Sequence, residues 1–115
     1  MGTAKGPRAV VAPDRGDLVW ITIEPGDGSP SFRRPALVVS PALYNARSGL
    51  ALMCAVGRQA KGYPFEVLLP AGLPVEGVVL ADHLRSADWK ARGAEIAGQV
   101  PTAVVEDVLA KLKPL

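Results

Sequence analysis

Twelve glycines and eleven prolines cut the 115 residues into short apolar runs of strand length, and only the C-terminal segment breaks the pattern. DLVWITIE at 17–24 alternates apolar and polar residues and is rich in β-branched and aromatic types, which predicts a strand. EPGDGSPS at 24–31 is all turn formers and must be a loop. RPALVVS at 34–40 reads as a second strand, and PALYNARSG at 41–49 as a connection holding one helical turn. LALMCAVG at 50–57 is apolar enough for a central strand, RQAKGYP at 58–64 is a loop, and FEVLLP at 65–70 a fourth strand. GVVLA at 77–81 and the segment around HLRSADW at 83–89 give two more, with ARGAEIAGQV at 91–100 as a final hairpin arm. Then the period changes. Val104, Val105, Val108, Leu109 and Leu112 fall on one face of a helix that Pro101 and Thr102 can start and Lys111 and Lys113 can end. Several short strands and one terminal helix predict a mainly β fold, a small and strongly bent antiparallel barrel with a C-terminal α-helix.

The length suits one domain over residues 1–115, with 1–13 as a loose lead-in. Apolar residues at 49% and charged residues at 21% provide a core without staples. The single cysteine, Cys54, rules out an intrachain disulfide and a cysteine zinc cluster, and its place in LALMCAV marks it as a buried hydrophobe. There is no 18-residue apolar run and no signal-peptide pattern, so the expectation is a cytoplasmic chain with no membrane partner.

Charge is segregated along the chain. Between Gly28 and Phe65 stand Arg33, Arg34, Arg47, Arg58 and Lys61, with no acid among them, although the formal net charge is only +2. A surface of one sign concentrates anions, and nucleic acid is the commonest polyanion in a cell.

Much chemistry is excluded. One histidine, His83, leaves no two-histidine acid–base scheme within a chain, no cluster has metal-ligand spacing, and no phosphate-binding glycine loop is present. Cations, polar side chains and backbone groups remain. Arg33 and Arg34 sit between a loop and a strand, with Pro35 holding Arg34 extended, and a guanidinium so placed binds phosphate through two parallel hydrogen bonds. The loop after Gly57 brings Arg58, Gln59, Lys61 and Tyr63 together, offering phosphate contacts, an amide for base edges and a ring for stacking. Arg47, Arg85 and Lys90 complete the basic candidates. Trp20 alternates within its strand and reads as core or interface, Trp89 is ambiguous beside Lys90 and Arg92, and His83 reads as a packing or interface residue.

Four stretches, PDRGDLVWI at 13–21, RPALVVSPALYN at 34–45, KGYPFEV at 61–67 and GVVLADHLRSADWKARGAE at 77–95, resemble the MazF/PemK family of bacterial toxins, in order and over most of the chain. The resemblance implies an SH3-like barrel with a C-terminal helix, acting as a homodimer. It implies a sequence-specific endoribonuclease that cuts single-stranded mRNA with no metal or other cofactor, often at a short ACA-type core. A cognate MazE-like antitoxin would block the RNA groove with an acidic, disordered tail. The family arginine before the proline of the second strand falls on Arg34, implied to serve in proton transfer and phosphate stabilisation. The family threonine at the end of the third strand falls on Gly57, so that hydroxyl is absent. The Gly57 N–H, Arg58 and, more weakly, Ser48 are the substitutes.

The reaction so implied is attack of a ribose 2′-hydroxyl on its own 3′ phosphate, leaving a 2′,3′-cyclic phosphate and a 5′-hydroxyl. Arg34, Arg58 and Gly57 are expected to stabilise the charge that develops on phosphoryl oxygens. The alternatives are a CcdB-like toxin that inhibits DNA gyrase, since the CcdB-type toxins share the same small barrel, and a non-catalytic RNA binder, made more credible by Gly57.

Overall fold

Leu18 and Val19 are neighbours in the first strand and point to opposite faces of it, yet neither exposes any surface. The sheet must therefore be covered on both sides. The computed structural model describes residues 11–115 and shows how. The elements in order are β1 (Asp17–Ile23), β2 (Phe32–Val38), α1 (Ala42–Ser48), β3 (Ala51–Gly57), β4 (Glu66–Leu68), β5 (Val78–Ala87), β6 (Glu95–Gln99) and α2 (Thr102–Leu112). The six strands form one antiparallel sheet in the order β4-β5-β3-β2-β1-β6.

The sheet is curled into a half-barrel. Its two edges approach each other: a methyl group on Gly98 in β6 would come within 2.8 Å of Pro74, in the loop after β4. Inside the curl, Leu18, Leu37, Val39, Cys54, Val56, Val67 and Val79 form one core. Helix α2 closes it with Val104, Val105 and Val108, the stripe legible in the sequence. Burying each valine stabilises by roughly 1.5–3 kcal/mol over leaving it exposed. The alternate residues Val19, Ile21, Ala36, Val38, Ala51 and Met53 build a second core on the outer face, capped by Trp89. Trp89 donates its indole N–H to the Asn45 carbonyl at 2.9 Å, which makes it a core residue and ties α1 to the sheet.

Several expectations change. The predicted strands at 77–81 and 83–89 are one ten-residue strand, β5, because a bulge rather than a turn absorbs the irregularity between them. The 91–100 arm makes no hairpin with β5. It crosses the open end of the curl and pairs with β1, Val19 facing Ile96 and Trp20 facing Glu95. The connection at 41–49 is a seven-residue helix, ended by Gly49 at φ 76°. Strand β2 begins at Phe32, two residues before the predicted start at 34, so Arg33 lies within it as Arg34 does. The expected loose lead-in at 1–13 lies largely outside the described residues. Its last member, Pro13, is fully buried, with its carbonyl accepting from Asn45 Nδ2 at 2.7 Å.

Candidate functional site

The site begins where β2 and β3 part. Their ladder runs Val38–Met53, Leu37–Cys54 and Ala36–Ala55, then stops at Pro35, which has no N–H to give. The same register, continued, would set Arg34 opposite Gly57. The strands diverge instead, and both residues line the space that opens. Arg34 borders three adjoining hollows of about 540, 470 and 520 Å³. The first lies toward Trp20, Phe32, Val75 and Glu76. The second is lined by Ile21, Met53, His83, Arg85 and Arg92, with Glu24 at its border. The third brings in Arg58, Gln59, Lys61, Tyr63 and His83.

The basic loop has a built shape. Glu66, at the start of β4, reaches back so that its carboxylate accepts from the Lys61 N–H at 3.0 Å and the Gly62 N–H at 3.1 Å. Gly62 stands at φ 84°, a conformation open to glycine, and this curls the loop around that carboxylate. With Glu66 so engaged, the Arg58 and Lys61 side chains make no hydrogen bond or ion pair among the described residues. Tyr63 stacks on Phe65, ring centroids 5.4 Å apart, and is 54% exposed, so one aromatic face is held firm and open to a ligand. Gly77, at φ 137°, lies so close that a methyl there would sit 2.1 Å from the Gly57 carbonyl. The chain needs glycine at that point to close against Gly57. At Gly57 itself the nearest side-chain atom to an added Cβ is Leu80 Cδ1 at 3.4 Å, so packing does not forbid a side chain.

The predicted residues divide. Arg34, Gly57, Arg58, Gln59, Lys61 and Tyr63 come together in one hollow, and Arg85 joins Arg34 in the adjoining one. Arg33 borders the first hollow, but its guanidinium is occupied. It donates to Thr22 Oγ1 at 2.8 Å, to the Gly93 carbonyl at 3.0 Å and to the Trp20 carbonyl at 3.2 Å, and it pairs with Glu95. These contacts fasten β2 to β1 and to the segment at β6. Arg47 lines none of the three hollows. It sits in the last turn of α1, where a cation complements the helix dipole. Lys90 lines none either and lies over the Trp89 ring, 5.6 Å from its centroid. Ser48 exchanges hydrogen bonds with the backbone of Leu50 and leaves no hydroxyl for the site.

His83 and Arg92 were not among the residues expected at the site. Of the two roles expected for His83, packing or interface, the structure does not support packing: its side chain is about half exposed and borders two hollows with Arg34. A continuous strand at 78–87 would have placed His83 and Arg85 on one face by simple alternation. Arg92 reaches the second hollow from the turn before β6, where its guanidinium donates to the Thr22 carbonyl at 3.3 Å. Cys54 is fully buried. Burial, aided by the nearby Asp82 charge, pushes its thiol up to about 11, so it stays protonated and inert at neutral pH. Among the described residues, no three His, Cys, Asp or Glu side chains gather as a metal-binding group.

A parted sheet corner with cations unpaired among the described residues, a stacked ring and a half-barrel capped by one helix defines a class, and comparison with known proteins names it. Residues 14–115 match the model of the PemK-like, MazF-like toxins of type II toxin-antitoxin systems, and the chain belongs to that family. It is 43% identical over 104 residues to the endoribonuclease toxin MazF of Escherichia coli K12, covering 90% of this chain and 93% of that one. It is similar to a crystal structure of MazE-MazF from Deinococcus radiodurans, with a TM-score of 0.88, 52% identity, and 91% and 96% of the two chains covered. MazF alone from Deinococcus radiodurans superposes with a TM-score of 0.82 at 52% identity, over 91% and 96% of the chains.

Proposed function

We propose that the hollows around Arg34 are the groove in which this toxin, an endoribonuclease of the MazF type, holds and cuts single-stranded mRNA. The observation that carries the reading is the convergence of Arg34, Arg58, Gln59, Lys61 and Tyr63 on one hollow, with the Glu66 carboxylate turned to the backbone. Cations grip the ribose-phosphate chain, the Tyr63 ring stacks on an unpaired base, and the Gln59 amide reads a base edge. Arg85 extends the track along β5. The groove binds a flexible strand in preference to a duplex because stacking needs a base free of its partner.

In the reaction a 2′-oxygen attacks its neighbouring phosphorus and the bond to the 5′-oxygen breaks. Charge builds on the two non-bridging oxygens. Arg34 and Arg58 supply the donors for it, with the Gly57 backbone at the same edge. Their positions within β2 and on a loop held by Glu66 also align the attacking oxygen, which lowers the entropic part of the barrier. The chain works as a homodimer in the cytoplasm, where mRNA is found. Its cognate antitoxin carries an acidic segment whose carboxylates compete with phosphates for the same cations. Relatives crystallised as MazE-MazF complexes support that partnership.

The mechanism is tested with an RNA carrying a single 2′-deoxyribose at the cut position. The substituted strand should bind normally and resist cleavage, while the all-ribose strand yields a cyclic phosphate end. Cleavage of the substituted strand at the normal rate would remove the 2′-oxygen from the mechanism.

A further inference from the structure

Strand β5 loses its register as it passes Arg34. Val79 lies opposite Val56 and Leu84 lies opposite Cys54, so Ala55 alone faces the four residues from Leu80 to His83. A bulge bends its strand and redirects side chains. Here it sends Ala81 into the core, where its N–H donates to the Phe65 carbonyl at 3.1 Å. It sends His83 outward. The imidazole, 52% exposed, borders two of the hollows that Arg34 borders: one with Arg58, Lys61 and Tyr63, the other with Arg85 and Arg92. Its Nε2 lies 3.9 Å from Asp82 Oδ1, close enough for the carboxylate to steady an imidazolium once one forms.

We propose that His83 is the base that takes the proton of the attacking 2′-hydroxyl. The inference deepens the ribonuclease reading above and rests on it. The groups facing the two hollows are Glu24, Arg34, Arg58, Lys61, Tyr63, Glu66, His83, Arg85 and Arg92, with Asp82 beside the ring. Guanidinium and ammonium groups hold their protons near neutrality and serve the phosphate instead. Glu66 is spent on the Lys61 and Gly62 N–H groups, and of these two hollows Glu24 borders only the one with Arg85 and Arg92, not the one with Arg58 and Lys61. Imidazole is the side chain whose ordinary proton exchange falls in the neutral range. His83 alone brings one to both spaces.

The proton count closes without a further reagent. The 2′-oxygen forms a bond to phosphorus as its proton passes to the neutral ring. The phosphorus–5′-oxygen bond breaks, and the leaving oxygen takes a proton from water. The imidazolium then returns its proton to the hydroxide so formed. Asp82 keeps its negative charge throughout.

The test compares wild type, His83→Gln and His83→Ala on one defined transcript from pH 5 to pH 9. Affinity is measured in parallel on a 2′-deoxy strand of the same sequence, and folding by thermal melting. The wild-type single-turnover rate should rise about tenfold per pH unit on its acid limb and then level. His83→Gln should melt like wild type, bind the 2′-deoxy strand within about threefold, cut roughly 100-fold more slowly or worse, and lose the acid limb. Imidazole added to the buffer should restore part of the His83→Ala rate. A His83→Gln protein that cuts at the wild-type rate with the acid limb intact, or whose entire loss is one of affinity, overturns the proposal. Wild type that cuts no RNA would instead sink the ribonuclease reading, and that result shows before any variant is made.

Discussion

Arg33 sits at the corner where β1, β2 and β6 meet, its guanidinium donating to Thr22, Trp20, Gly93 and Glu95. One residue later, Arg34 makes no side-chain hydrogen bond among the described residues and borders all three hollows. The side chains are identical and only the strand face differs. On the Arg33 side, β6 arrives with a carboxylate, β1 presents a carbonyl and a hydroxyl, and the turn before β6 adds the Gly93 carbonyl, so the fork is filled from within the protein. On the Arg34 side, β3 has turned away at Pro35, and the donors wait for a ligand. Satisfied, a guanidinium fastens strands together; left unsatisfied over a concavity, it becomes an anion site. Lys61 and Glu66 repeat the lesson on a smaller scale. The acid is spent on backbone, and the neighbouring cation keeps its charge for something else.

The comparison can be broken most sharply at Arg34. Arg34→Ala should melt within about 2 °C of wild type, since no internal partner is lost, and should lower the cleavage rate by about 100- to 1,000-fold. A large loss of stability with cleavage retained would reverse the roles assigned to the pair. Arg33→Met should do the opposite. Urea titration should show a loss of about 1–2 kcal/mol, the modest worth of a partly exposed ion pair plus three further hydrogen bonds. Cleavage should fall less than tenfold under conditions where the protein stays folded. The smallest effect sharpens the picture rather than testing it outright. Lys61→Ala should keep the fold and flatten the log–log dependence of RNA affinity on salt by about 0.7, one phosphate contact on a single strand. An unchanged slope would place Lys61 off the path of the backbone.

Much of this architecture could be read in advance because it depends on local pattern. The alternation in DLVWITIE and the helical stripe from Val104 to Leu112 report burial directly, and both elements lie where the spacing puts them. The basic loop was readable for the same reason. Gly57, Gly62 and Pro64 punctuate it, and its cations are close in sequence, so they remain close in space. Other features are invisible to local pattern. The bulge at Leu80–His83 looks like a break between two strands when only the chain is inspected, and this hid His83. The pairing of β6 with β1 joins segments about seventy-five residues apart, and without that pairing nothing in FRRPAL distinguishes the fates of its two arginines.

The amino-acid order by itself determined the strand-and-helix content, the separation of charge and the family, because each is carried by neighbours a few residues apart. Tertiary structure alone decided which cations are left unpaired among the described residues and that the one histidine, His83, faces them. Those outcomes depend on which distant acid, carbonyl or strand edge arrives alongside, and the reach of Arg33 across β1 to Glu95 of β6, like the parting of β2 from β3 at Arg34, exists only once the strands have paired.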